Sequence, residues 1–105
     1  MLERVRALVG LREVRVSDHG ASELDEDSIR LPDLFASVAD ATAVEDYPAD
    51  RRGASVLALH RDRDGRPVHV VWAIAKGSTT PAVLVTAWRP DPLRWSADFL
   101  TRRRR

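Results

Sequence analysis

Three histidines and one arginine are the residues best suited to chemistry in this sequence. They are His19 in "SDHGASEL", His60 at the end of "SVLALH", His69 inside "PVHVVWAIA" and Arg89 in "WRPDPLRW". An imidazole titrates near neutrality and can serve as acid or base. A guanidinium grips phosphate through a planar fork of donors. Metal-independent cleavage of RNA needs those types: a base for the ribose 2′-hydroxyl, an acid for the leaving 5′-oxygen and a cation beside the charged phosphorane. His19 and His69 as the proton-transfer pair, with Arg89 as the phosphate anchor, form that constellation if the fold brings them together. Each has a plainer reading. His69 fits a buried ring hydrogen-bonded to a neighbour, His19 a surface residue at a helix start, and Arg89 a cation neutralised by Asp91. His60 leads into a charged hairpin and reads as structural.

Other chemistries find little here. No two histidines stand at the three- or four-residue spacing of helical metal motifs, so a metal site would require all three to converge with carboxylates. There is no Gly-x-Ser-x-Gly elbow, phosphate loop or dinucleotide fingerprint, and no cofactor is called for. Cysteine is absent, which excludes disulfides and cysteine-based zinc sites. Trp88 and Trp95 read first as packing residues and second as platforms for stacked bases.

The bulk of the chain sets limits on these ideas. At 105 residues, 44% hydrophobic and 31% charged, it is expected to form a single domain with one core. The net charge of +1 names no partner, but its distribution is uneven. Acidic residues crowd Asp18 to Asp27 and Glu45 to Asp50, and the chain closes on the basic tail "TRRRR", residues 101–105. Such a run reads as a solvated tail or as a contact for phosphate. The N-terminal "MLERVRALVG" is charged every few residues, unlike a signal peptide or membrane span, so a cytoplasmic protein is expected.

Positioning must come from the periodicity. Leu2, Val5, Leu8 and Val9 fall at helical spacing before Gly10, and "REVRV" suggests a short strand or an extended link. Ser17 or Asp18 can cap a helix whose first turn holds His19. Leu31, Leu34, Phe35 and Val38 make a second apolar stripe, with Pro32 tolerated in its first turn. Strands are expected at 42–47, 55–60, 67–75 and 82–88, and Asp64–Gly65 signals a hairpin. "RPDPLRW" is expected to lead into a short terminal helix. The order implies an α+β fold, with helices packed on one face of about four antiparallel strands. Val68, Val70, Trp72 and Ile74 belong under the helices. His69, Val71, Ala73 and Ala75 belong on the opposite face, with Tyr47 and Trp88 closing the sheet ends.

Four stretches, "SDHG", "VEDYPADRRGASVLAL", "DGRPVHVVWAI" and "VTAWRPDPLRW", resemble in order the domain-of-unknown-function family 4258, over about residues 16–99. The resemblance implies a fold akin to RelE/ParE-type and MqsR-type toxins, a group that includes mRNA endoribonucleases. It also implies a partner: a cognate antitoxin, some being of zinc-finger or helix-turn-helix type. Many relatives place arginines four and eight residues after the histidine, where this chain has Glu23 and Asp27. That exchange removes two cations from a surface meant for phosphate. Two functions follow as expectations: a toxin-like protein that binds or cleaves RNA, and a non-catalytic module that binds a protein through an open sheet face or edge strand.

Overall fold

A computed structural model describes residues 1–103, so Arg104 and Arg105 of the basic tail lie outside the described residues. The elements in chain order are α1 (Leu2–Gly10), β1 (Val14–Val16), α2 (Asp18–Glu26), α3 (Leu31–Ser37) with a 3-10 turn at Val38–Asp40, then β2 (Thr42–Tyr47), β3 (Ser55–Arg61), β4 (Pro67–Ala73) and β5 (Ala82–Trp88). The fold is α+β, as the periodicity requires. The sheet has five strands rather than four, in the order β1-β5-β4-β3-β2. The extra one is "REVRV", whose centre pairs parallel with β5, Val14 opposite Ala82 and Val16 opposite Leu84.

Strand alternation sorts the residues of β4 as expected. Val68, Val70, Trp72 and Ile74 are buried with Leu2, Val5, Leu8, Leu24, Leu34 and Val38 in one core beneath the helices. The registers Ala58↔Val70, Val56↔Trp72 and Val70↔Ala87 carry that face across the sheet. Helix α2 lies closest to it. Ser17 caps the helix by accepting from the Gly20 N–H at 2.9 Å, and its hydroxyl donates to the Val85 carbonyl at 2.8 Å. Gly20 sits directly over β5, where a Cβ would stand 2.8 Å from the Leu84 carbonyl oxygen.

Several expectations about the ends fail. The terminal segment is not helical but a chain of turns, closed by an isolated bridge between Trp95 and Arg102. Pro90 and Pro92 withhold N–H donors. Asp91 and Asp98 instead accept from the backbone N–H groups of Leu93 and Leu100, the local bonding that competes with helix. This segment folds over the second sheet face, so that face is not open at its His69 end. Tyr47 does not close the sheet, being 48% exposed, whereas Trp88 is half-buried against His69. Arg102 and Arg103 are not a free tail. Arg102 pairs with Glu45 at 3.0 Å and lies over the Trp95 ring, and the Arg103 N–H donates to the Arg94 carbonyl at 2.8 Å.

Candidate functional site

The sheet separates the three histidines. His60 stands opposite Val68 and faces the helices, while the next register pair, Leu59 and His69, faces the other way. His19 rides on the first turn of α2, on the helical side, and is exposed. The structure therefore does not bring His19 and His69 to one locus, nor does it gather the histidines as a metal site would need. Among the described residues no three His, Asp or Glu side chains are grouped to hold a metal ion.

His69 is fully buried. Its Nε2 lies 2.9 Å from the Phe99 carbonyl oxygen and must donate to it, which leaves Nδ1 as the unprotonated nitrogen. That Nδ1 is buried with no hydrogen-bond partner among the described residues. The rings of Trp88 and Trp95 meet the imidazole edge-on, with centroids at 5.7 and 4.3 Å. Burial lowers the His69 pKa below the ordinary histidine value, against the raising effect of the Phe99 carbonyl. The ring is a neutral anchor for the terminal segment.

His60 forms a second anchor, on the helical side, where the sequence suggested nothing beyond a strand end. Trp72 Nε1 donates to its Nε2 at 3.1 Å, so its proton must sit on Nδ1, 2.9 Å from the Ser37 hydroxyl. The Ser37 hydroxyl in turn donates to the Leu34 carbonyl. This directed chain, Trp72 to His60 to Ser37 to the turn of α3, ties helix to sheet. Burial depresses the His60 pKa from 6.5 to about 4.

His19 is the one histidine open to solvent. Its Nε2 lies 3.3 Å from Glu23, one helical turn on. Glu23, where the resemblance led us to expect arginine, is turned towards the imidazole. Asp27, the other such position, is used structurally: its carboxylate accepts from the Arg89 backbone N–H at 3.1 Å, pinning the end of α2 to the end of β5.

Arg89 leads to a cleft of about 160 Å³ at that end of the sheet, lined by Ser28, Arg30, Asp33, Asp62, Arg63 and Arg66 among others. Its Nη1 pairs with Asp62 at 2.8 Å, and Asp91, its expected neutraliser, pairs with Arg94 instead. Asp62 also receives the N–H groups of Asp64 and Arg66, both at 2.9 Å, which shapes the β3–β4 hairpin. Burial alone would raise the Asp62 carboxyl; the Arg66 N–H, the Arg89 guanidinium and the Asp64 N–H hold it below the usual range. Asp33 is likewise occupied, by the Nε of Arg63 at 3.2 Å. Asp62 and Asp33 therefore have most of their lone pairs and their charge satisfied internally. Arg30 and Arg66 are exposed and enter none of the ion pairs among the described residues. The sequence concealed this pairing, because "RDRDGR" reads as turn material and Arg30 as a linker residue. Only the spacing of Asp62 from Asp64 and Arg66 hinted at an ordered turn.

Among the described residues no helix is long and apolar enough to cross a membrane. No curated protein and no solved structure matches the chain. The family model described as "Domain of unknown function (DUF4258)" matches residues 16–89, from the end of β1 to Arg89, and the chain belongs to that family.

Proposed function

We propose that this chain is a toxin-like RNA-binding protein whose phosphate contact is the arginine cleft at the end of the sheet. The observation that carries the reading is the arrangement at Arg89. Asp62 and Asp33 are spent on Arg89 and Arg63, while Arg30 and Arg66 stand on the same small cleft outside the ion pairs among the described residues; Asp64, exposed on that cleft, is also outside them, so four arginines face three aspartates there. A volume of about 160 Å³ suits a single phosphate group, and paired free guanidinia suit its planar pairs of oxygens. The toxin kinship that the resemblance to family 4258 implies is consistent with this reading.

The reading alters the roles first assigned to the site residues. Arg89 becomes the positioning residue of the cleft, held by Asp62, and Arg30 and Arg66 make the contact. His69, neutral beneath the terminal segment, is removed from any proton transfer. His19 starts α2 whereas the cleft lies beyond the end of that helix, so the arrangement supports binding of phosphate and assigns no proton-transfer pair beside it.

Binding of a short fluorescein-labelled single-stranded RNA, followed by anisotropy across a salt series, tests the proposal. Wild-type affinity should fall as salt rises. The Arg30→Ala/Arg66→Ala double variant should bind at least about tenfold more weakly, with the salt slope reduced by roughly 0.7 for each lost phosphate contact. His69→Gln should bind as wild type does if it remains folded. Unchanged binding by the arginine variant, or no RNA binding at low salt, overturns the proposal.

A further inference from the structure

At the other end of α3 from the arginine cleft lies a groove of about 800 Å³, bounded by the end of α1, by β1 and by the 3-10 turn after α3. Its apolar lining is Val9, Val14, Phe35 and Val38; Arg6 and Arg12 are its charged members, and no carboxylate lines it. Arg6 is fixed there by donating to the carbonyls of Val38 and Ala41, and keeps its charge without a counterion among the described ion pairs. Arg12 is held at the rim with φ 61°. The nearest acidic side chain in sequence, Glu13, is turned aside to accept from the Thr80 hydroxyl at 2.9 Å. Leu11, next to the groove, is 69% exposed. β1, which forms one wall, is an edge strand of the sheet.

We propose that this groove docks an acidic amphipathic helix of a partner protein, independently of any RNA contact. An apolar trough between helical elements matches the way a helix buries residues spaced three and four apart. Two guanidinia without a facing carboxylate favour aspartate or glutamate beside those apolar anchors and disfavour a basic segment. A second copy of this chain is a poor occupant by the same reasoning. Opposing grooves would set Arg6 and Arg12 against their own copies across the two-fold axis.

Gly10 supplies the decisive variant. It lines the groove, closes α1 and has nothing within 4 Å of an added Cβ, so Gly10→Trp should fill the groove without disturbing the core. The experiment is selection from a displayed library of helical peptides whose flanking charges vary. Selected peptides are then titrated against purified wild type, Gly10→Trp and Arg12→Glu, each checked for an unchanged circular dichroism spectrum. The expected winners carry Leu, Ile or Phe at helical spacing with acidic flanks. Their affinity should fall at least tenfold in Gly10→Trp and in Arg12→Glu, and a copy with lysine for each acidic residue should not bind. No enrichment, winners without acidic bias, or equal binding to Gly10→Trp would overturn the proposal. So would a wild type that sediments as a dimer and becomes monomeric on Gly10→Trp. RNA binding by Gly10→Trp should match wild type, which separates failure here from failure of the arginine cleft.

Discussion

Adding a proton to His60 would place an N–H on Nε2, where the Trp72 indole already points its own at 3.1 Å. The ring must therefore stay neutral for the hydrogen-bond chain to survive. The sign of the pH effect follows. The pKa is about 4 in the folded chain and 6.5 ordinarily, so between those values the unfolded chain binds more protons. The contribution is fully present above about pH 6.5 and is lost as pH falls towards 4; it amounts to about 3 kcal/mol at 1.36 kcal/mol per unit. His69 and Asp62 are also depressed, so all three groups weaken the fold on acidification. Thermal melts from pH 7 to pH 4 should show a steady loss of stability. His60→Leu should flatten that dependence while costing roughly 1–3 kcal/mol at pH 7, because it strands the buried Trp72 N–H. A pH profile identical to wild type in that variant would show that His60 is not the titrating group. At this scale the sequence showed which residue types were present but not their environments. His60 and His69 occur in similar apolar strands, and only the register sends one to the helices and the other to Trp88 and Trp95.

Of the helices, α2 approaches the sheet closely over β5, and glycine permits it. With the Leu84 carbonyl oxygen only 2.8 Å from where a Cβ of Gly20 would lie, Gly20→Ala must push the helix off the strand. That substitution should cost about 1–3 kcal/mol as overpacking against backbone, despite the better helix propensity of alanine. Gly10→Ala meets no neighbour and should be neutral or stabilising by up to roughly 1 kcal/mol. Urea melts of the two variants check the contrast, and equal effects would mean that propensity rather than close approach governs both sites. Much of this level was legible in the sequence. The helix caps, the β3–β4 hairpin and the two faces of β4 follow from period and turn chemistry. The parallel pairing of β1 with β5 did not, because three residues of alternation look the same in a strand and in an extended link. The terminal segment was misread because Trp95 and Leu93 suggest a helix, whereas Pro90, Pro92, Asp91 and Asp98 favour successive turns. The cleft was hidden for a related reason: Arg30, the Asp62–Arg66 turn and Arg89 lie far apart along the chain, and the Asp27–Arg89, Asp62–Arg89 and Asp33–Arg63 contacts that gather them are not local.

For the molecule as a whole, the sheet has two cores of unequal depth. The first is the large one under the helices. The second is a small one in which Leu57, Leu59 and His69 are sealed by the terminal segment, principally through Trp95, 5% exposed. That segment is held to the sheet by the His69–Phe99 hydrogen bond, by the Arg102–Glu45 pair to β2 and by Arg61 of β3 lying over the Phe99 ring. The surface pair contributes little; the buried indole contributes most, so the segment's attachment rests on Trp95. Trp95→Ala should cost about 3–5 kcal/mol and let water reach the unpartnered Nδ1 of His69. Because burial is the main cause that lowers this imidazole's pKa, wetting it should raise the value towards that of an ordinary histidine. Imidazole proton shifts followed by NMR from pH 8 to pH 4 supply the measurement. An upward move of the His69 midpoint alone, accompanied by loss of thermal stability, is the expected outcome. A His69 midpoint unchanged in a folded Trp95→Ala protein would mean that the strands themselves, rather than the terminal segment, keep the ring dry.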